Sequence, residues 1–328
     1  MALIKQLTRF ALLMAAVSMV TFALVGSSPV DPVQMNAGQA AYGRMSGEKR
    51  AQLRAYWGSD QPIAERYLHW ASGALRGDFG DSLRYDAPVV QVVSQRAGNT
   101  LMLMAVAWTL SGVVGTALGI AAGSFRGSWL DRLVRGYCFV LSSTPAFWLG
   151  LVALMVFSVW LGWFPFGFSV PIGVDAATVS FAERLHHLIL PALTLSATGV
   201  ANIALHTREK VVDVMGSDYV RFALARGETR RQVLRRHGLR NLVLPAISLQ
   251  FAQVSEIFGG SVLVEQVFSY PGLGQAAVTA GVGGDAPLLV GIALASAAIV
   301  FAGNALANIL YGVVDPRMRE REGVRAHV

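Results

Sequence analysis

The sequence contains few charged residues, one cysteine and almost no lysine. Charged side chains make up 14% of the 328 residues and hydrophobic side chains 54%. A soluble domain carries roughly a quarter charged residues. The single cysteine, Cys138, excludes a disulfide within the chain and a cluster of cysteine metal ligands. Because Cys138 falls in an apolar stretch, we expect it to pack as a small hydrophobic residue.

Lysine occurs only as Lys5, Lys49 and Lys210, and none of these follows a glycine-rich loop. An ATPase needs a loop that cradles the phosphates and a lysine that contacts them. The sequence therefore predicts that the chain does not hydrolyse ATP itself. We expect no enzymatic activity and no cofactor bound by this chain, with the ATPase on separate partner subunits. The formal charge of +7 comes from arginine-rich segments between apolar runs, as the positive-inside rule requires. We therefore expect contact with membrane lipid and no nucleic-acid partner.

Apolar runs long enough to cross a bilayer recur along the chain. They predict an all-α integral membrane protein with six transmembrane helices, at residues 10–25, 99–123, 133–163, 188–206, 242–268 and 287–314. Pro145 interrupts the third span and predicts a tilted or kinked helix. The predicted organisation is a first helix in 1–28, an external segment 29–98, a core 99–314 that includes a cytoplasmic loop 207–243, and a tail 315–328. A cleaved signal peptide is the alternative for the first run.

Two further patterns orient and pack the spans. Arginines cluster at 126–135 and 317–325, which predicts that both termini are cytoplasmic and that the basic loop 207–243 is as well. The external segment is long enough, at more than about 60 residues, to escape this rule. Ser111, Gly115, Gly119 and Gly123 recur at every fourth residue and predict a face on which another helix approaches closely.

The cytoplasmic loop predicts two short helices around a glycine. Ser217 can cap a helix that begins at Asp218, and Gly227 can end it in a left-handed turn. Thr229 and Gln232 form a capping box for a second helix. Val220 and Leu224 share one face of the first helix, and Val233 and His237 share one face of the second. The loop is either an amphipathic segment on anionic lipid or a docking knob for a cytoplasmic partner.

The loop and the residues just after it carry a recognisable pattern: Asp218, Tyr219, Val220, Arg221, Ala223, Ala225, Arg226, Gly227, His237, Leu239, Arg240, Asn241, Leu244 and Pro245. This pattern resembles the coupling-loop signature of the binding-protein-dependent ABC importer permeases, and more narrowly that of their dipeptide, oligopeptide and nickel branch. Residues 77–80, 271–274 and 315–317 match other family segments at the family's spacing. Phe222 and Leu224 depart from it, because the family usually has a small polar and a basic residue there.

The resemblance implies a type I ABC importer permease fold in the bacterial cytoplasmic (inner) membrane, working by alternating access. It also implies a second homologous permease subunit, two cytoplasmic ATPase subunits that hold ATP and magnesium, and an external solute-binding protein. The implied substrate is a peptide or a related small solute, with nickel or a metal chelate as the alternative. The implied ATPase-coupling residues are Asp218, Tyr219, Val220, Arg221, Ala223, Gly227, Val233, His237, Arg240 and Asn241.

Two groups of polar residues need separate interpretation. Gln253 and Glu256 lie near the middle of the fifth predicted span, where an acid faces either a translocation path or a hydrogen-bonding helix. His186 and His187 are adjacent, and they lack the spacing of metal ligands, so interfacial histidines are the better interpretation. An ion-coupled secondary transporter remains a rival class, which inverted repeats with broken helices would indicate. A membrane scaffold that transports nothing is the third class.

Overall fold

The computed structural model describes residues 2–27, 39–56, 62–234 and 249–314, together with residues 34, 236 and 247. Within them the chain is almost wholly helical, as predicted for an all-α membrane protein. The first helices are α1 (Ala2–Gly26), α2 (Gln39–Arg44), α3 (Gly47–Tyr56), α4 (Ile63–Ala74), α5 (Val89–Ser124), α6 (Trp129–Ser143) and α7 (Ala146–Ala153). The later ones are α8 (Phe181–Met215), α9 (Asp218–Ala225), α10 (Arg230–Val233), α11 (Val254–Val267), α12 (Leu273–Gly283) and α13 (Ala286–Val314). Strands β1 (Asp81–Ser82) and β2 (Ala87–Pro88) pair antiparallel before α5.

Four of the described helices are long and apolar enough to cross a membrane. They are Ile4–Gly26, Val89–Ser124, Phe181–Met215 and Ala286–Ile309, and the bent pair α6–α7 makes a fifth if it is one span. Helix α5 begins earlier than the start expected near residue 99, and α8 continues past the end expected near residue 206. The first half of the predicted fifth span lies partly outside the described residues. Helix α11 covers its second half. The count of six therefore stays a prediction.

The break in the third span is sharper than the kink expected at Pro145. Helices α6 and α7 meet at 106°. Thr144 is extended (φ −103°, ψ 128°) and Pro145 precedes the first residue of α7. A residue before proline is driven out of the helical region, and proline donates no hydrogen bond to the preceding turn. The two effects end one helix and begin the next. Leu154–Trp160 then continue α7 as a π-helix.

The chain divides into two compact units, and the first contains Met1–Thr100 and Pro271–Phe301. In it α4 packs against α1: the hydroxyls of Ser18 and Tyr67 are 3.0 Å apart, and the rings of Phe22 and Tyr67 meet edge to face. A second contact joins the β1–β2 hairpin to the start of α13. Asp285, the residue before α13, is buried and accepts hydrogen bonds from Ser82 and Arg84 of the hairpin. A buried apolar cluster of α5, α12 and α13 forms the core of this unit.

The second unit contains Leu101–Tyr270 and Ala302–Val328, and its central feature is the contact between α5 and α8. A Cβ atom added to Gly119 would lie 2.6 Å from both the Ala204 carbonyl oxygen and the Thr207 Cβ. One at Gly115 would lie 2.8 Å from Ile203 Cβ. Only glycine allows this approach, so the predicted face of small residues is confirmed. Helices α6, α7 and α11 pack around α8 and complete the unit.

Candidate functional site

Helix α9 begins at Asp218 as the sequence predicts, but without the expected side-chain cap. Ser217 is extended (φ −71°, ψ 155°), yet its hydroxyl makes no capping bond. Instead the hydroxyl donates to the carbonyl oxygen of Val214, in the last turn of α8. The predicted role of Ser217 is therefore wrong in this detail: its hydroxyl ties α9 to the helix before it.

Gly227 ends α9 in the left-handed conformation, with φ +91°. The Glu228 amide donates to the Ala223 carbonyl oxygen at 3.2 Å, and the Gly227 amide donates to Leu224 at 3.0 Å. These two bonds define a Schellman motif, which satisfies carbonyl groups that a helix end leaves unpaired. A side chain at Gly227 would meet open space but would be strained by its φ angle. The predicted turn is thus confirmed.

The capping box of the second helix also forms as predicted. The Thr229 amide donates to Gln232 Oε1 at 2.9 Å, and the Gln232 amide donates to Thr229 Oγ1 at 3.4 Å. Helix α10 itself spans only Arg230–Val233. We define the coupling knob as residues 217–233, the two capped helices and the turn between them.

The interior of the coupling knob is formed by residues that the sequence assigned to docking. Val220 and Val233 are completely buried, and Ala223 is 7% exposed. They pack together and against Val214 and Met215 at the end of α8. A partner protein cannot contact side chains in this position. Their role is to hold α9 and α10 together and to fix the knob on α8.

The surface of the knob carries aromatic and charged side chains. Tyr219 is 45% exposed and Phe222 is 65% exposed. The guanidinium of Arg226 lies 5.9 Å from the Phe222 ring centre, and Arg221 and Asp218 form an exposed ion pair at 3.6 Å. Sequence analysis treated Phe222 only as a departure from the family pattern. The spacing of residues 219, 222 and 226 places them on one helix face, and that signal could have identified the surface.

Three predicted coupling residues, His237, Arg240 and Asn241, lie outside the described residues, as does the tail 315–328.

The two candidate path residues occupy different environments. Gln253 is 6% exposed, and its Oε1 atom would be 3.3 Å from a Cβ atom added to Gly199 on α8. Among the described residues this oxygen has no hydrogen-bond partner. Glu256 is exposed on α11, and within the described part of the chain its carboxylate makes no hydrogen bond or ion pair. Gly259 and Leu263 are exposed too and share its helix face. Only Glu256 therefore lies on an open face.

The histidine pair fixes the chain between α7 and α8. His186 Nε2 lies 2.9 Å from the carbonyl oxygen of Trp163, and His187 Nδ1 lies 2.7 Å from that of Gly167. Among the described residues, no group of three or more His, Cys, Asp and Glu side chains is arranged to hold a metal ion. The two rings act here as loop anchors.

The described residues form apolar helices long enough to cross a membrane, with a capped knob at the end of α8. Sequence comparison identifies the family of membrane proteins to which such a chain belongs. Residues 115–320 match the family described as the inner membrane component of binding-protein-dependent transport systems. Residues 1–105 match the N-terminal region of such membrane components. The chain belongs to this family and is a multi-pass permease of a binding-protein-dependent ABC importer in the cytoplasmic membrane.

Individual relatives align over nearly their whole length. The oligopeptide transport system permease protein of Bacillus subtilis is 35% identical over 309 residues, covering 93% of this chain and 95% of that protein. The dipeptide transport system permease protein of Escherichia coli K12 is 34% identical over 324 residues, with coverage of 93% and 95%. The glutathione transport system permease protein of Escherichia coli O1:K1 is 34% identical over 316 residues, with coverage of 96% and 98%.

Proposed function

We propose that the chain forms part of the membrane path of a peptide importer, and that its coupling knob binds a cytoplasmic ATPase subunit. An external binding protein delivers the peptide, and a second, homologous permease completes the path. Two ATPase subunits hold ATP and its Mg²⁺, since the three lysines of this chain lie outside any phosphate-binding loop. The dipeptide, oligopeptide and glutathione systems of the relatives support a peptide as substrate.

The observation that carries this proposal is the construction of the coupling knob. Its backbone is fixed by a Schellman motif and a capping box, and its two valines are fully buried. A segment that only lies on lipid presents its apolar face to the bilayer. Here the small aliphatic residues face inward, while Tyr219, Phe222 and Arg226 face outward. Exposed aromatic and arginine side chains are those that dominate protein interfaces.

The knob is attached to a helix long enough to transmit its motion. Helix α8 runs from Phe181 to Met215, with Pro191 in its first half, and only two residues separate it from α9. Val214 and Met215 pack against the knob interior. A displacement of the knob by the ATPase therefore moves the inner end of α8, which is how the chain would change between inward-open and outward-open states. Glu256, on the open face of α11, is the candidate polar group on the path.

Substitution of Gly227 tests the docking role. Gly227→Val should disfavour the left-handed turn by about 1–2 kcal/mol and re-aim α10, while leaving the membrane spans unchanged. We expect normal insertion and normal peptide binding by the external protein. Association of the ATPase, or its stimulation by loaded binding protein, should fall. The measurement is ATPase activity and peptide uptake in proteoliposomes that contain the whole complex.

Gly216→Ala is the matched control for this experiment. Gly216 lies at the other end of α9 but has φ −87°, and an added Cβ would be 3.4 Å from its nearest neighbour, an ordinary contact. The Gly216→Ala variant should retain full stimulation of the ATPase by loaded binding protein. Wild-type stimulation and uptake in Gly227→Val would instead identify the loop as a lipid-surface segment.

The substrate is tested on the external partner. The binding protein that stimulates the reconstituted ATPase should be purified with its natural ligand, and the ligand identified by mass spectrometry. A di-, tri- or oligopeptide is the expected result. Recovery of nickel or a metal chelate would contradict the peptide assignment and favour the metal-importing alternative. Uptake that follows an ion gradient without ATP would place the chain among secondary transporters.

A further inference from the structure

A buried carboxylate joins two helices close to the coupling knob. Asp131, in the first turn of α6, is 1% exposed. Its Oδ1 accepts a hydrogen bond from Arg208 Nε at 2.6 Å, and its Oδ2 accepts one from Arg208 Nη2 at 2.8 Å. The Gly127 amide donates to Oδ2 at 2.9 Å, and Arg135 Nε lies 3.4 Å from Oδ1. Sequence analysis did not single out this pair.

Arg208 belongs to the part of α8 that carries the knob. About two helical turns separate Arg208 from Met215, and Val214 and Met215 pack on the buried valines of the knob. Pro191 is the proline inside α8, and it lies well before Arg208. The segment from Arg208 to the knob therefore moves as one body.

The α5–α6 turn, residues 125–128, is held against the same segment by a second contact. A Cβ atom added to Gly123, in the last turn of α5, would lie 2.6 Å from Val211 Cβ and 2.9 Å from the Arg208 carbonyl oxygen. This turn is thus flanked by a close helix contact on one side and by the Asp131–Arg208 pair on the other.

The two contacts restrain different motions. Apolar surfaces in contact resist separation but allow small sliding movements, which is how packed helices shear. A bidentate pair between a guanidinium and a carboxylate fixes distance and orientation together. A buried ion pair adds little stability compared with apolar residues of the same volume. The pair is therefore better explained by the geometry it imposes than by the stability it adds.

We propose that Asp131 and Arg208 are positioning residues that make the α5–α6 turn move together with the coupling knob. Through this joint the displacement of the knob reaches α5 and α6 as well as α8. Without it, the knob still binds the ATPase, but ATP hydrolysis no longer drives the movement of all three helices. This inference rests on the proposed docking of the knob.

The test uses the complete importer, reconstituted with its partner permease, ATPase subunits and binding protein. The variant is the double substitution Asp131→Asn with Arg208→Gln, which removes both charges of the buried pair at once. Arg135 loses its carboxylate partner in this variant, but its side chain is 40% exposed to solvent. We expect the complex to assemble with its ATPase at the wild-type level. Stimulation of ATPase by loaded binding protein, and peptide imported per ATP hydrolysed, should fall by at least about five-fold, the lower end of typical coupling between sites.

Lys210→Gln is the matched control, because Lys210 makes an exposed ion pair at 4.0 Å with Asp213 on the same helix. It should leave the peptide-to-ATP ratio unchanged. A double variant that assembles and couples like the wild type overturns the inference while leaving the docking proposal intact. Loss of ATPase association in Gly227→Val reports on docking alone, so the two failures are distinguishable.

Arg208→Lys provides a second measurement if the double variant does not reach the membrane. Lysine keeps the positive charge but lacks the two-donor fork. The inference requires a lower peptide-to-ATP ratio in this variant, with normal assembly. An unchanged ratio would show that charge alone suffices and would overturn the role of the fixed geometry.

Discussion

Asp131 and Asp285 are two buried carboxylates at helix starts that are compensated in different ways. Asp131 is paired with the guanidinium of Arg208. Asp285 is completely buried and accepts hydrogen bonds from the Ser82 hydroxyl at 2.7 Å and from the amides of Arg84 and Leu288 at 3.1 and 3.2 Å. The Leu288 bond is a helix N-cap of α13, and the other two attach the β1–β2 hairpin to it.

The two carboxylates differ in the groups that compensate their charge, and therefore in the contacts that they can stabilise. A guanidinium supplies a full opposite charge, so the Asp131 pair stays ionised and joins long helices. Neutral donors only partly offset the cost of burying a charge, and burial raises the pKa of Asp285 despite its hydrogen bonds. The pair near the knob is therefore suited to transmit displacement, whereas the Asp285 contact fixes a short hairpin and is sensitive to pH.

The largest expected effect comes from breaking the ion pair on one side. Asp131→Ala leaves the Arg208 guanidinium without its partner and should lower the free energy of unfolding by about 3–5 kcal/mol. Adding Arg208→Gln should recover part of that loss, because it removes the unpaired charge. The measurement is unfolding in mixed micelles. Asp213→Ala, with an aspartate that is 70% exposed, serves as the control, and an equal loss there would contradict the assigned role of burial.

A smaller effect is expected at Asp285, and it should depend on pH. Asp285→Asn leaves the Arg84 amide without an acceptor, which should cost about 1–3 kcal/mol. Because the folded pKa is raised, the folded state keeps its proton to a higher pH than the unfolded state does. The stability from this group is then greatest below the ordinary aspartate pKa and decreases as pH rises through the folded pKa.

This pH dependence can be measured as the thermal unfolding midpoint of the solubilised complex, from below the ordinary aspartate pKa to above the folded pKa of Asp285. The asparagine variant cannot titrate and should lose the dependence that Asp285 contributes. If the slope of the midpoint against pH is unchanged in the variant, another group causes the pH dependence.

The contrast between local and distant contacts also explains what the sequence could predict. The left-handed turn at Gly227, the Thr229–Gln232 capping box and the α5 glycine face were all predicted, because each depends on residues within a few turns of one another. The apolar spans were predictable for the same reason. The sharp break at Pro145 was expected only as a kink, since the direction of the following helix depends on packing against other helices.

The contacts that sequence analysis missed join distant parts of the chain. Asp131 and Arg208 are 77 positions apart, and neither spacing nor charge pattern connects them. Val233 was assigned to a docking surface, but it is buried. Its burial depends on α10 folding back onto α9, which the local sequence does not indicate. Gln253 and Glu256, one turn apart, were assigned to the same path, but the approach of α8 buries only the first. Their roles, and that of the knob, stay predictions.

The smallest expected effect concerns Arg135, the second cation near Asp131. Its side chain is 40% exposed, and its Nε lies 3.4 Å from Asp131 Oδ1, farther than either nitrogen of Arg208. Asp131 is buried, but the Arg135 side chain reaches solvent. Ion pairs that solvent reaches contribute about 0–1 kcal/mol, because solvent screens the charges and ordering a long side chain costs entropy. Arg135→Gln should therefore change the free energy of unfolding by no more than this amount and leave the peptide-to-ATP ratio intact. Both quantities can be measured beside the Arg208→Lys variant. A loss as large as that of Arg208→Lys would mean that net positive charge around Asp131, and not the two-point contact from α8, fixes the joint.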